Sequence, residues 1–164
     1  MATWEEIRKV HTWLPESSEG WHQHPNGEGW VQDTASVDLT AYVGPEALVY
    51  GKAQVCGEAQ VCDKAQVCNK AQVHDKAEVY GESQVYGESQ VYGEAIICDK
   101  ALVYGKAQVY GASIVYGEAQ VCGEARVYDK ARVYGGTHVY GETRVCGQAM
   151  VYGKAQVSGK IHIG

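Results

Sequence analysis

The clearest feature of the chain is an aliphatic residue at every sixth position, which recurs without a break from Val31 to Ile163. From Ala35 onward, Ala, Ser or Thr stands two places before each of these residues, and Ile161 is the only exception. Residues two apart in a strand face the same side of it, so both positions are predicted to point inward. The pattern predicts very short strands separated by regular bends.

The bends are predicted from the residues between the strands. From Gly51 onward, the second residue after each aliphatic position is Gly, Asp or Asn, which tolerate positive φ. A six-residue period does not return to one face of a helix, so we expect three units to close a triangular coil. Residues 31–164 then give about seven coils of 18 residues in an all-β, parallel solenoid. Because Pro45 and Leu39 occupy bend positions, regular winding is predicted to begin only near Ala47.

The repeat unit, Val-Tyr-Gly-Lys-Ala-Gln at 103–108, resembles the bacterial transferase hexapeptide repeat, and the resemblance covers residues 31–164. It implies a single-stranded left-handed parallel β-helix. The left hand comes from the family alone, because parallel crossovers are otherwise right-handed, and bactofilin-like solenoids are the right-handed alternative. Members of the family commonly form trimers, and its acyltransferases use a histidine near a cleft between subunits and a loop that closes over the substrate.

Residues 1–30 do not follow the repeat and are predicted to form an N-terminal cap over the open end of the solenoid. Thr3 and Glu6 have the spacing of a capping box, and Pro15 ends the apolar periodicity that follows. The sequence therefore predicts a short helix near residues 4–13. The cap also contains all four tryptophans of the chain, at Trp4, Trp13, Trp21 and Trp30.

Two histidines in the cap have two interpretations. The run 22–27, His-Gln-His-Pro-Asn-Gly, has the composition of a turn. His22 and His24 are also two residues apart, a spacing that would allow both imidazoles to bind one metal ion. We predict the turn, and metal binding by these two residues stays open at this point.

The charge and the apolar content exclude two classes of partner. The chain has 20 acidic residues against 14 Lys and Arg, with a net charge of −6, which disfavours binding to nucleic-acid phosphates. No apolar stretch is long enough to span a membrane, and the first residues include two acids where a secretory signal would have basic residues. The sequence predicts a cytoplasmic protein that binds neither nucleic acid nor membrane.

The six cysteines all occupy the outward position that directly follows an aliphatic residue, where tyrosine stands in most other repeats. No two cysteines are 18 residues apart, so none is predicted to lie directly above another in the next coil. The sequence therefore predicts no intrachain disulfide, in keeping with a reducing compartment.

The outward residues can be assigned to three faces by their 18-residue spacing. Two faces are predicted to carry mainly amide and aromatic ladders, which stabilise stacked strands. The third face is more apolar and is the candidate surface for contact between subunits. We predict that this candidate oligomer face comprises Ile96, Cys98, Ile114, Tyr116, Tyr134, Met150 and Tyr152.

The sequence gives no constellation typical of an active site. No residue is inserted into the repeat between Val31 and Ile163, so no loop is available to close over a substrate. The solenoid histidines His74, His138 and His162 are predicted to lie several coils apart, and we interpret them as surface substitutions. We therefore predict no catalytic, cofactor-binding or metal-binding residue and no cofactor.

Two functions from different classes remain. The first is a non-catalytic structural or scaffold solenoid that forms a homo-oligomer, for which the family resemblance implies a trimer. The entry into the repeat, Gly-Trp-Val at 29–31, resembles uncharacterised phage or prophage proteins, so this scaffold is predicted to be phage-associated. The second is a minimal hexapeptide acyltransferase that binds acetyl-CoA at a subunit interface.

Overall fold

The six-residue repeat closes one turn of the chain every three units. The structure, a computed structural model that describes residues 2–164, pairs each two-residue strand in parallel with the strand 18 residues later. About seven such turns are stacked, and one short helix, Trp4–Val10, precedes them. The predicted all-β parallel solenoid with 18-residue coils is therefore confirmed.

The strands form three sheets, which we name A, B and C. Sheet A contains Trp21–Gln23, Trp30–Gln32, Leu48–Val49, Gln66–Val67, Gln84–Val85, Leu102–Val103, Gln120–Val121, His138–Val139 and Gln156–Val157. Sheet B contains Ser36–Val37, Gln54–Val55, Gln72–Val73, Gln90–Val91, Gln108–Val109, Arg126–Val127, Arg144–Val145 and His162–Ile163. Sheet C contains Tyr42–Val43, Gln60–Val61, Glu78–Val79, Ile96–Ile97, Ile114–Val115, Arg132–Val133 and Met150–Val151.

The inner wall of the solenoid is the column of aliphatic residues. Val55, Val73 and Val91 are paired one above another in sheet B, and all three are completely buried. The alanines two places earlier, such as Ala71, are buried beside them. Burial of each valine contributes roughly 1.5–3 kcal/mol before the cost of ordering the chain. The predicted inward direction of both repeat positions is confirmed.

The regular bends use the left-handed backbone region. From Gly51 to Gly159, the first bend residue of every repeat has a positive φ, including five that are not glycine. Asp63 shows why an acid is useful here, because its carboxylate accepts a hydrogen bond from the backbone N–H of Gly81 in the next coil. The same bond, 3.0 or 3.1 Å long, is made by Asp75, Asp99 and Asp129.

The first coil is regular in its strands but not in its bends. Ser36–Val37 pairs in register with the strand 18 residues later, and so does Tyr42–Val43. The prediction that winding begins only near Ala47 is therefore wrong. Leu39 and Pro45 do not adopt positive φ. The hydrogen bonds between coils hold the first strands in register even where the bends have a different conformation.

Polar residues at the small inward position are accommodated by local hydrogen bonds. The hydroxyls of Ser83, Ser89, Ser113 and Thr143 each donate to the carbonyl oxygen three residues earlier, over 2.7 to 2.9 Å. A buried hydroxyl with such a partner avoids most of the desolvation cost. Thr137 is the exception, because its buried hydroxyl has no partner among residues 2–164.

The N-terminal helix lies against the side of the solenoid. Trp4 and Ile7 pack on Trp30 and Leu48, which are neighbours in the outward column of sheet A. The predicted capping box is present, with the Thr3 hydroxyl and the Glu6 side chain bonded to each other's backbone N–H. The helix is shorter than the predicted range 4–13. It ends at Val10, with the N–H of the following residue still bonded to Ile7.

The open end of the solenoid is covered by other parts of the N-terminal segment. Trp21–Gln23 pairs antiparallel with Trp30–Gln32 and adds an outer strand to sheet A. At the edge of sheet C, the Val43 N–H donates to Asn26, and the Val43 carbonyl accepts from the N–H of Gly29. A strand and a loop, and not the helix, therefore satisfy these exposed edges.

Candidate functional site

Sheet C presents the most apolar outward column that the N-terminal segment leaves uncovered. Ile96 pairs with Ile114, so their side chains lie above each other in adjacent coils, and both are half-buried. Met150 lies two coils further along and is 57 % exposed. These residues face outward because the inward positions of the same strands belong to the buried core.

A ladder of tyrosines follows one edge of this face. The rings of Tyr116 and Tyr134 stack with their centroids 4.8 Å apart and their planes 9° apart. The ring of Tyr152 continues the ladder at 5.5 Å and is 60 % exposed. The spacing follows that of the strands, so the ladder is a direct product of tyrosine at the same place in successive coils.

Cys98 departs from the expectation of an exposed patch, because it is only 8 % exposed. The hydroxyl of Tyr80, which stands one coil earlier, donates a hydrogen bond to its sulfur. This bond and burial raise the pKa of Tyr80 to about 12. Burial likewise raises the pKa of the Cys98 thiol. Cys98 therefore lies beneath the outer surface of the face and contributes almost no contact area.

Two charged residues stand at the ends of the isoleucine pair. Glu78 precedes Ile96 in the column, and Arg132 follows Ile114, each in direct register with its neighbour. Neither charged side chain has an ion pair or a side-chain hydrogen bond within residues 2–164. The face thus has an apolar centre with one unpaired charge of each sign at its ends.

Sheet B carries an amide and aromatic surface, as the sequence predicts. The Gln108 amide donates to Gln90, and the Gln90 amide donates to Gln72, over 3.2 and 3.4 Å. Beside this ladder His74 stacks on Tyr92 at 4.9 Å, and Tyr92 continues into further stacked tyrosines. The amides bond to one another and the rings stack, which suits a surface that stabilises the stack of coils.

The first coils of sheet A are covered by the N-terminal segment, which is attached through a connected set of hydrogen bonds. The hydroxyl of Tyr50 donates to the Gln66 oxygen over 3.1 Å, and the Gln66 amide lies 3.2 Å from His11 Nδ1. His11 Nε2 lies 2.9 Å from the carbonyl oxygen of Glu46. Burial lowers the pKa of His11, so the neutral ring is the form that fits this network. Beside His11 is an open cavity of about 410 Å³ whose lining includes Lys64.

The two cap histidines do not face a common point. His22 lies in a strand and not in the predicted turn, and its Nδ1 is 2.8 Å from an Asp33 carboxylate oxygen at the surface. His24 is buried, and its Nδ1 is 3.1 Å from the carbonyl oxygen of Asn26. Among residues 2–164 no three His, Cys, Asp or Glu side chains are grouped so that they could hold a metal ion.

One pair of potentially reactive groups was missed by the sequence analysis. Cys146 Sγ lies 3.2 Å from His162 Nε2, and the thiol is only 6 % exposed. These residues are 16 apart, so a search for partners at the 18-residue spacing does not find them. The hydroxyl of Tyr128 also bonds to the Cys146 sulfur, so the thiol is enclosed by two partners.

A family model described as the YdcK Beta solenoid repeat matches residues 119–135 and 125–141. The two matches are offset by one six-residue unit. Over this stretch the chain is similar to that repeat. No curated protein and no solved structure matches the chain. The comparisons support a β-solenoid repeat protein, and they do not confirm the resemblance to the transferase hexapeptide family.

The family match does not single out any face of the solenoid. The matched residues include strands of all three sheets, so they describe the repeat itself and no single face. The described residues contain no helix of the length and hydrophobicity required to cross a lipid bilayer. The geometry alone makes sheet C the candidate functional surface, through its apolar column and tyrosine edge.

Proposed function

We propose that this protein is a non-catalytic structural scaffold that assembles with further copies of itself through the outer face of sheet C. The observation that carries the proposal is the uncovered pair Ile96 and Ile114. Glutamine is the usual residue at this outward position. One other pair of apolar residues lies at this position in adjacent coils, Trp30 and Leu48 on sheet A, and the N-terminal helix covers it. A contiguous apolar surface of this kind is typical of a protein contact.

The rest of the predicted face supports the same role. Tyr116, Tyr134 and Tyr152 supply large rings with little conformational freedom, which is the kind of side chain that interfaces favour. Met150 extends the apolar column beyond Arg132. The homo-oligomer, the cytoplasmic location and the association with a phage or prophage are parts of this proposal that come from the sequence.

The experiment restores the repeat consensus on the candidate face. Replacing Ile96→Gln and Ile114→Gln together introduces the residue that this position usually has, so the solenoid is expected to fold. Leu102→Gln makes the same kind of change on sheet A, in a repeat that lies between the two isoleucines. Sedimentation velocity is expected to show an oligomer for the wild type and Leu102→Gln, and a monomer for the double variant. An oligomer that survives the double change refutes the proposal.

The acyltransferase alternative has its own measurement. An acetyl-CoA site would bind its ligand to the folded state and raise the melting temperature. We expect no shift when acetyl-CoA is added to the wild-type protein, because the proposed scaffold has no cofactor. A saturable increase of several degrees in the melting temperature would refute the scaffold proposal in favour of the acyltransferase.

A further inference from the structure

The outward column of sheet C has an internal symmetry that bears on how two copies can meet. Four residues in consecutive coils follow one another in direct register, namely Glu78, Ile96, Ile114 and Arg132. The midpoint of this series lies between the two isoleucines. Reversal of the direction along the solenoid exchanges the isoleucines and places the acid where the base was.

Two copies can face each other through sheet C in two directions. If their solenoid axes are parallel and level, as in a trimer around an axis along the solenoid, each residue approaches its own copy. Glu78 then lies near Glu78 and Arg132 near Arg132, and both contacts repel. If the axes are antiparallel, Glu78 of each copy faces Arg132 of the other, and Ile96 faces Ile114.

We propose that the occupant of this face is a second copy of the chain with its solenoid axis antiparallel, related by a two-fold axis between the coils of Ile96 and Ile114. This inference rests on the proposed function, because it requires sheet C to be an assembly surface. It replaces the trimer that the family resemblance implies. The contact is isologous, so each dimer contains two Glu78–Arg132 pairs and two Ile96–Ile114 contacts.

The free charges support the pairing. Glu78 is half-buried at its outward position, and Arg132 is exposed, and neither is used by another side chain of residues 2–164. A charge beside an apolar surface is costly to cover unless it gains a partner. In the antiparallel dimer both charges gain one, and in the parallel arrangement neither does.

The two-fold axis brings different charges together on the two sides of the sheet C face. On the flank that follows the strands, Lys100 and Glu118 stand in the coils of the two isoleucines and exchange places, so opposite charges meet. On the other flank, Lys76 meets Lys130, and both are exposed. The two copies are therefore expected to be closer along the tyrosine edge, where Tyr134 faces Tyr80, than along the flank with the like charges.

Charge reversal separates the two directions. In the antiparallel dimer, Glu78→Arg or Arg132→Glu alone turns two attractive pairs into two repulsive pairs, and is expected to weaken dimerisation roughly thirtyfold. The double variant Glu78→Arg with Arg132→Glu exchanges the charges and is expected to restore wild-type affinity. In a parallel assembly, each single reversal leaves like charges opposed and has little effect. Sedimentation equilibrium measures the dissociation constant for all four proteins.

Each result decides between the two proposals. A wild-type dimer that is weakened by both single reversals and restored by the exchange supports the antiparallel pair. A wild-type trimer overturns the antiparallel pair, and so do single charge reversals that leave the dissociation constant unchanged. In either case the scaffold function stands if Ile96→Gln with Ile114→Gln still gives monomers. A wild-type protein that is monomeric at its highest soluble concentration overturns both. Circular dichroism of the exposed Arg132→Glu variant checks that a lost dimer is not a lost fold.

Discussion

Two apolar clusters on the outside of this solenoid have opposite surroundings. On sheet A, Trp30 and Leu48 lie in adjacent coils and are buried, because the N-terminal helix packs on them. On sheet C, Ile96 and Ile114 have the same relation to each other and remain half-exposed. The clusters have the same position in the repeat and differ in whether the chain itself supplies a cover.

The comparison shows what an apolar residue in the outward column means. The inner column of valine and alanine already forms the core, so an outward residue adds nothing to it. At sheet A the apolar pair binds a segment of the same chain. The pair at sheet C is a surface of the same kind without a segment to cover it, which is the argument for a second copy. Substitutions in the two clusters are therefore expected to have different effects.

The largest expected effect is the loss of the cover on sheet A. Leu48→Gln puts an amide into a completely buried site and is expected to cost about 3 kcal/mol of the free energy that docks the N-terminal segment. All four tryptophans lie in residues 4–30, so their fluorescence reports the docking. We expect the fluorescence transition in urea to precede the loss of circular dichroism from the strands. Coincident transitions in this variant would contradict the prediction.

Leu102→Gln is the matched control for this change. Leu102 has the same repeat position in sheet A, three coils further along, but it is only half-buried. We expect this exchange to cost less than about 1 kcal/mol, because a partly exposed site loses little apolar burial. A cost equal to that of Leu48→Gln would show that the amide, and not the lost cover, causes the effect.

Two cysteines report the same difference by their reactivity. Cys68 and Cys98 are each 8 % exposed, and each lies beside the hydroxyl of the tyrosine one coil earlier. The tyrosine beside Cys68 is Tyr50. Its ring centroid lies 4.8 Å from that of Trp13 in the N-terminal segment. In Leu48→Gln the weaker docking increases the fraction of molecules with a detached segment, so we expect Cys68 to be alkylated up to roughly a hundredfold faster, as the docking energy implies. Cys98 has no such cover.

Mass spectrometry of peptides from iodoacetamide-treated protein measures both rates in one sample. The rate at Cys98 is expected to be the same in the wild type and in Leu48→Gln. If both cysteines react faster in the variant, the whole solenoid has loosened and the cover is not a separate unit. If neither does, Tyr50 protects Cys68 without help from the N-terminal segment.

The repeat could be read from the sequence because its information is local and recurs. A small residue, an aliphatic residue and a bend residue are enough to fix strand, direction and the 18-residue register, as at Val55, Val73 and Val91. The pattern does not predict the burial of Cys98 and Cys146, because alternation assigns a side and does not show that the tyrosine of the preceding coil covers the thiol. The Cys146–His162 contact is not predicted either, because the two residues are 16 and not 18 apart.

The N-terminal segment could be predicted only in part. Its helix follows from the capping box at Thr3 and Glu6, which is a local signal. Its position beside sheet A depends on contacts such as that of Ile7 with Leu48, which no local pattern encodes. Leu48 was visible as an outward leucine, but the sequence did not show which of the apolar outward residues would be covered.

A smaller effect is expected from pH on the cover of sheet A. Burial lowers the pKa of His11 below its usual value of 6.5, and the bond to Glu46 offsets this only in part. The detached segment therefore binds a proton at a higher pH than the docked segment. Docking is expected to be complete above pH 6.5 and to weaken as the pH falls towards the pKa of the docked ring.

Tryptophan fluorescence in urea at a series of pH values measures this dependence. His11→Gln removes the titrating ring and keeps an amide that can bond to Glu46, so its docking is expected to be less sensitive to pH in the same range. An equal pH dependence in both proteins would assign the effect to another group. A stronger docking at low pH in the wild type would reverse the sign and contradict the burial of a neutral His11.

The smallest effect completes the comparison. In a dilute sample where the protein is monomeric, Ile96→Gln with Ile114→Gln is expected to change the free energy of unfolding by less than about 0.5 kcal/mol, because the half-exposed isoleucines contribute little to a single chain. The same protein concentrated to favour assembly is expected to lose the stability that association adds. Urea unfolding at two concentrations measures both values. If the double change lowers the free energy of unfolding of the monomer as much as Leu48→Gln lowers that of docking, the isoleucines belong to the core of the chain, and sheet C is not an assembly surface.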